Sequence, residues 1–300
     1  MILIIIFINS TKFYPINKDN LSNMEMEKTM ITEPYTLPHT ETWLICSREL
    51  KRLYKVFVSV PDSPAPDDGF PIMYVLDGNS VFASFTEIMN LQTRRAEITG
   101  KKPHIIVGIG YETSGPFNDN RYYDFTFSPN IDFLSYHAID RELPQAGGGS
   151  YFLAFIEKEL KPQIELKYHV NKKKQSIIGH SLGGLFVLST LFTSSASFQY
   201  YIASSPSIHW NEVFLNKAKQ QFMANEINAK LLITSGELER DHFSEMNEKA
   251  KMLNDELQKH TSPVFESEFL EFPGEDHMTV LLPLINKTIL FVNDIKQQMK

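Results

Sequence analysis

The run Ser176-Ile177-Ile178-Gly179-His180-Ser181-Leu182-Gly183-Gly184-Leu185-Phe186-Val187-Leu188 constrains the fold more than any other stretch. An apolar segment leads into a Gly-x-Ser-x-Gly pentapeptide and a second apolar segment leads out of it. A serine placed so sits on a sharp strand-to-helix turn, with its hydroxyl exposed and its backbone strained. Strand and helix close on each other there, so Gly179 and Gly183, two before and two after the serine, are expected to need the smallest side chains. The turn also puts the N–H of Leu182 at a helix start, where it can stabilise an oxyanion. A bare pentapeptide arises by chance around buried serines; the strand before it and the helix after it are what distinguish a working turn.

The surrounding sequence supplies the sheet that such a turn needs. Residues 42–60 alternate in strand fashion around the turn chemistry of Ser47-Arg48-Glu49-Leu50, which predicts an antiparallel hairpin. Residues 61–71, rich in Pro, Asp and Gly, read as a loop. The almost wholly apolar runs at 71–76 and 105–110 are expected of strands buried on both faces, with a helix over 80–93 between them. A polar insertion spans 111–149, and its aromatic density predicts an ordered, functional loop. Phe152, Phe155, Ile156, Leu160 and Ile164 form a helical stripe. Beyond the serine turn, strands at 200–204, 230–234 and 265–272 alternate with helices at 210–223, 243–259 and 280–296. The pattern is α/β: an α/β-hydrolase fold, with a mostly parallel central sheet, an N-terminal antiparallel hairpin and helices on both faces.

Composition narrows the function. The 300 residues carry a formal net charge of −7, with both signs mixed along the chain, and lack the basic stripe of a nucleic-acid binder. Cys46 is the only cysteine, which excludes an intrachain disulfide and a cysteine-built metal site. The apolar opening at 2–8 has no positive residue before Lys12 and no alanine before Ala65, so it does not read as a signal peptide. It is also shorter than the ~20 residues a bilayer span takes. Residues 1–41 are therefore expected to be a poorly ordered extension or a misassigned start, with Met24, Met26 and Met30 as alternative starts. Residues 42–300 are expected to form a single domain, cytoplasmic and without stable membrane insertion. Oligomeric state has no signature in the sequence.

In an open α/β sheet, sites form beyond the carboxyl ends of the strands. Ser181 ends one strand. Glu237, Glu239 and Asp241 follow the strand at 230–234, and His277 follows the strand at 265–272. The order Ser, acid, His is that of α/β-hydrolases. A serine hydroxyl needs an imidazole to take its proton, and the imidazole needs a carboxylate to orient it. His277 is the expected base, with His209 and His242 as weaker rivals and His180 as packing within the turn. Glu239 is the first choice for the acid and Glu237 the alternative; those not used would be solvated turn charges. Leu182 and the loop Gly78-Asn79 are the expected oxyanion donors, although Asp77-Gly78 also reads as an ordinary turn. Arg121, in the insertion, could bind an anionic or phenolic group of a substrate or pair with Asp124. No phosphate-cradling loop and no metal-ligand cluster is legible.

Together, Gly179-His180-Ser181-Leu182-Gly183-Gly184, Leu76-Asp77-Gly78-Asn79, Arg121 with Asp124-Phe125-Thr126, Gly147-Gly148-Gly149 followed by Phe152, Phe155, Glu159-Leu160 and Pro162, Gly236-Glu237-Leu238-Glu239 and Gly274-Glu275-Asp276-His277 resemble the putative-esterase (esterase D-like) family. The match is collinear from about residue 42 onward and leans towards the ferri-siderophore (enterochelin-type) trilactone esterases. The resemblance implies a serine esterase of small-molecule esters without a large lid domain and without a cofactor. It implies Ser181 as nucleophile, His277 as base and Glu239 as acid. Relatives on the same pattern include thioesterases, feruloyl and acetylxylan esterases and acyltransferases. A non-catalytic binding module on this fold would lack the serine or the histidine, and both are present here.

Overall fold

The apolar runs become strands because nothing along them needs water. β3 (Phe70–Leu76) and β4 (Ile105–Tyr111) are buried at every residue, which places them in the interior of a sheet covered on both faces. β1 (Thr40–Cys46) and β2 (Leu53–Ser59) alternate in burial instead and pair antiparallel through the turn at Ser47. The computed structural model describes residues 34–129, 144–225, 228–240, 244–259 and 264–295. Expectations for residues 1–33, Asp241, His242, Phe243, Lys296 and the stretch 130–143 of the insertion lie outside the described residues. The chain divides into two units, residues 1–37 and 38–300.

The second unit holds an eight-stranded sheet of order β1-β2-β4-β3-β5-β6-β7-β8. β5 is Val170–His180, β6 Tyr200–Ser204, β7 Ala229–Gly236 and β8 Phe265–Phe272. β2 joins β4 antiparallel, and every pairing from β4 through β3 to β8 is parallel. The carboxyl ends of β3 and β5 to β8 therefore lie along one edge. The connecting helices are α1 (Gly78–Thr93), α2 (Ala96–Thr99), α3 (Asn120–Asp124), α4 (Gly149–Phe155), α5 (Lys161–Lys167), α6 (Leu182–Thr193), α7 (Glu212–Phe222), α8 (Met246–Leu257) and α9 (Leu281–Val292). A π-helical turn, Ile156–Leu160, joins α4 to α5 without a break.

Alternate strand residues face opposite sides. Tyr74, Val107, Ile177, Tyr201 and Leu231 share one core with Phe152 of α4 and Phe186 of α6. Met73, Val75, Ile106, Ile178 and Ile202 are equally buried but lie outside that core, while α1 packs beside α9. α6 is buried along nearly its whole length, from Leu182 to Phe192, so the helix that starts at the serine is anchored on all sides.

Three local expectations shift. The first helix begins at Gly78 rather than 80, because Asp77 turns the chain in the left-handed region (φ 52°, ψ 44°) directly after β3. The helix expected over 210–223 opens as a 3₁₀ turn at Ile208–Trp210 and starts again at Glu212, with the Asn211 side chain accepting from the Phe214 N–H. The insertion read as a loop contains α3, the short helix that carries Arg121.

Candidate active site

Ser181 has φ 59° and ψ −119°, a conformation that costs an L-residue about 1–3 kcal/mol and survives only when its surroundings enforce it. Three backbone bonds enforce it. The Ser181 N–H donates to the Ser204 carbonyl at 3.0 Å, and the Ser181 carbonyl accepts from Leu185 at 3.0 Å and Ser207 at 3.1 Å. The small-residue requirement proves one-sided. A Cβ on Gly179 would lie 2.2 Å from the Gly183 carbonyl oxygen, whereas one on Gly183 would meet the Leu76 side chain at an ordinary 3.6 Å. The strand position needs glycine because the helix backbone lies on it, and the helix position does not need it in return.

Three side chains then fall in line. His277 Nε2 is 3.1 Å from Ser181 Oγ, and His277 Nδ1 is 2.9 Å from Glu239 Oε2. An ionised carboxylate only accepts, so the shared proton sits on Nδ1 and leaves Nε2 free to accept from the serine. Glu239 is 3 % exposed. Its other oxygen accepts from Ser205 Oγ at 2.6 Å and the Gly236 N–H at 2.8 Å. Burial pushes the Glu239 carboxyl up, but hydrogen bonds from His277, Ser205 and Gly236 outweigh it and hold the group below the usual carboxylate range. The carboxylate thus stays ionised beside the imidazole.

Glu237 points elsewhere: its Oε2 accepts from the Gly274 N–H at 2.8 Å. It clamps the loop that carries His277, and the Leu238 N–H adds a bond to the Glu275 carbonyl at 3.0 Å. On the other side of His277, Asp276 Oδ1 accepts from the N–H groups of Met278 and Thr279, both at 2.8 Å. The His180 ring lies 4.5 Å from that of His277, and burial pushes its pKa down to about 3. A neutral imidazole therefore backs His277 without competing for its proton. His209 lines the cleft but does not bridge serine and acid.

The cleft in front of Ser181 has a volume of about 400 Å³, with Leu182, Tyr122, Trp210, Leu238 and Arg121 in its walls. The amides of Leu182, Gly78 and Asn79 belong to first helical turns, which have no acceptor within their own helices. Gly78 and Asn79 are not among the residues lining this cleft. Gly78 is glycine for a packing reason, since a Cβ there would lie 2.7 Å from the Gly108 carbonyl carbon. The Asn79 side chain accepts from the Tyr111 N–H at 2.8 Å and donates to the Tyr111 carbonyl at 2.9 Å, pinning the β3–α1 turn to the end of β4.

Arg121 reaches the cleft wall, but its partner is Asp77 and not Asp124. Nε and Nη2 bind the two Asp77 oxygens at 3.0 and 2.9 Å, and the guanidinium lies over the Phe117 and Phe125 rings, 5.2 and 5.4 Å from their centroids. Asp124 is taken by Arg52, Tyr54 and Tyr111 instead. The site also uses residues that motif reading passes over, Ser205 and Ser207. Their only signal is a Ser-Ser-Pro-Ser corner at the end of β6, where a strand of this sheet would end near the site. Among the described residues no group of His, Cys, Asp and Glu could hold a metal ion, and no helix is long and apolar enough to cross a membrane.

Residues 47–274 match the family model described as putative esterase. The ferri-bacillibactin esterase BesA of Bacillus subtilis (strain 168) is 44 % identical over 261 residues, covering 86 % of this chain and 90 % of that protein. The crystal structure of the BES protein from Bacillus cereus superposes with a TM-score of 0.82 at 37 % identity, over 88 % of this chain and 99 % of that one. The siderophore hydrolase EstA from Aspergillus nidulans gives a TM-score of 0.76 at 25 % identity, over 88 % and 98 %. The sheet order, the strained serine and a family match over residues 47–274 lead to one conclusion: the chain belongs to the putative esterase family of α/β-hydrolases and is a carboxylic ester hydrolase.

Proposed function

We propose that the protein hydrolyses the ester bonds of a catecholate trilactone siderophore through an acyl-enzyme on Ser181. The observation that carries the mechanism is the continuous line from Ser181 Oγ through His277 to Glu239. The substrate class is supported by the activities for which the relatives are named, a ferri-bacillibactin esterase and a siderophore hydrolase. The cleft suits it as well. Tyr122 and Trp210 form a tilted aromatic pair with centroids 5.7 Å apart, and the cation of Arg121 stands in the same wall. Flat, electron-rich and anionic rings are what such a wall attracts.

His277 Nε2 takes the proton of Ser181 as its oxygen bonds to the ester carbonyl carbon. Glu239 stabilises the imidazolium that results. The N–H of Leu182, which lines the cleft, meets the developing oxyanion, and the Gly78-Asn79 turn beside it is the proposed source of a second amide. His277 then returns the proton to the departing alkoxide. Water, activated by the same imidazole, releases the acid. Arg121 acts twice: Asp77 occupies Nε and Nη2, so it holds the turn proposed to offer the second amide, and the Nη1 edge it leaves meets the substrate.

The test is hydrolysis of a metal-free and a ferric catecholate trilactone, beside a p-nitrophenyl short-chain ester, with mass spectrometry of the quenched protein. The expected result is ring opening of the trilactone and a transient acyl mass on the peptide holding Ser181. Turnover that persists in Ser181→Ala would sink the mechanism, and turnover of the p-nitrophenyl ester alone would sink the substrate assignment.

A further inference from the structure

The chain holds a second hydroxyl against the nucleophile. Ser207 Oγ is 3.3 Å from Ser181 Oγ, in the wall of the same cleft, and Ser207 is only 5 % exposed. Its place is fixed by backbone as well as side chain. The Ser207 N–H donates to the Ser181 carbonyl at 3.1 Å, and its own carbonyl accepts from the Trp210 N–H at 3.0 Å. Ser205, two residues earlier, is held at φ 41° with its N–H on the Thr234 carbonyl at 2.7 Å. Pro206 stiffens the link between them.

The proton count decides the direction of the contact. Glu239 keeps the His277 proton on Nδ1, so Nε2 accepts the single proton of Ser181. A hydrogen bond between the two serine oxygens then requires Ser207 to be the donor. We propose that Ser207 is a catalytic residue whose hydroxyl donates to Ser181 Oγ, fixes its rotamer towards His277 and stabilises the negative charge that builds there as its proton leaves. The proposal rests on Ser181 being the nucleophile. In the step itself, the Ser181 proton passes to His277 Nε2, the Ser181 oxygen bonds to the electrophilic atom and the leaving group departs with its electron pair. Ser207 keeps its own proton throughout.

The same corner thus serves both ends of the relay. Ser205 Oγ donates to Glu239 at 2.6 Å and Ser207 Oγ donates to Ser181. Neither serine belongs to the turn motif or to the acid and histidine loops.

A fluorophosphonate probe tests the proposal without depending on ester specificity, because fluoride leaves as Ser181 Oγ bonds to phosphorus. The second-order labelling rate is compared for wild type, Ser207→Ala and Ser207→Thr, with melting temperatures measured alongside. Loss of a hydrogen bond to a developing charge predicts labelling about tenfold slower in Ser207→Ala at an unchanged melting temperature, and a rate within about threefold of wild type in Ser207→Thr, which keeps the hydroxyl. Equal rates in wild type and Ser207→Ala overturn the proposal. Equal slowing in both variants also overturns it, since the loss would then follow the backbone corner and not the hydroxyl. Wild-type protein that takes no label on Ser181 ends the acyl-enzyme reading itself, and this proposal with it.

Discussion

Glu239 and Asp124 are both carboxylates withdrawn from water, 3 % and 0 % exposed, and they are satisfied in opposite ways. Asp124 is surrounded by donors, none of which is a nucleophile or its base: Arg52 on one oxygen, the hydroxyls of Tyr54 and Tyr111 on the other. Burial raises its pKa against the pull of Arg52 and the two tyrosines. Glu239 has one oxygen fixed by Ser205 and Gly236, and it offers the other to a histidine that opens onto a 400 Å³ cleft. Its pKa is held down. A buried carboxylate therefore points to chemistry where its chain of partners ends at a nucleophile in a cleft. The Asp124 cluster ties β2, β4 and α3 together, while the Glu239 chain ends on Ser181.

That contrast predicts the heaviest loss of activity at the accessible end. Ser181→Ala should lower kcat for a p-nitrophenyl ester on the order of 10⁴-fold or more with the fold intact by circular dichroism. Glu239→Gln keeps the shape but loses the charge that orients His277, and should cost on the order of 10³-fold in kcat. Asp124→Ala should do the reverse. It strands the Arg52 cation and two buried hydroxyls, so urea unfolding should show about 3–5 kcal/mol of lost stability, while kcat of the folded fraction stays within a few-fold of wild type. Activity collapsing in Asp124→Ala under native conditions would erase the distinction between the two carboxylates.

Milder changes draw the line more finely. Glu237→Gln should change kcat by less than about tenfold, because it loosens the histidine loop without touching the imidazole; a loss matching that of Glu239→Gln would reverse their roles. The depressed pKa of Glu239 also has a sign. Its contribution to stability is present above the unfolded value of about 4.5 and is lost as pH falls from there through the lower folded value. Urea midpoints of wild type and Glu239→Gln should therefore converge as pH drops below about 4.5, and constant separation across that range would contradict the assignment.

Much of this was legible because the signals are local. Gly179 to Gly183 lies within one turn of chain, and β3, β4 and β6 are continuous apolar runs that admit few other folds. Loop position alone gathered Ser181, His277 and the acids of the loop after β7, with Glu239 ranked ahead of Glu237, since parallel strands must end on the same edge. What escaped depends on contacts far apart in sequence. Arg121 pairs with Asp77 across 44 residues, and no spacing rule prefers that partner to Asp124, three residues away on the same short helix. The division of labour between Glu237 and Glu239 follows from one 3₁₀ turn at Glu237–Glu239, which sends the first side chain to the Gly274 amide and the second to His277. Ser207 is invisible for the same reason, because its role lies in a corner folded back on the serine turn. The size rule at Gly183 failed because the close approach there is made by its own backbone.

The order of the three side chains along the chain has a consequence in time. His277 follows Ser181 by 96 residues and Glu239 by 38, and it is held by the loop that leaves β8, the edge strand beside β7. During synthesis Ser181 is made 96 residues before the imidazole that takes its proton. A nascent chain that ends before His277 has no imidazole in line with Ser181, so the capacity to cut esters is expected only after the last strand of the sheet has been made and docked.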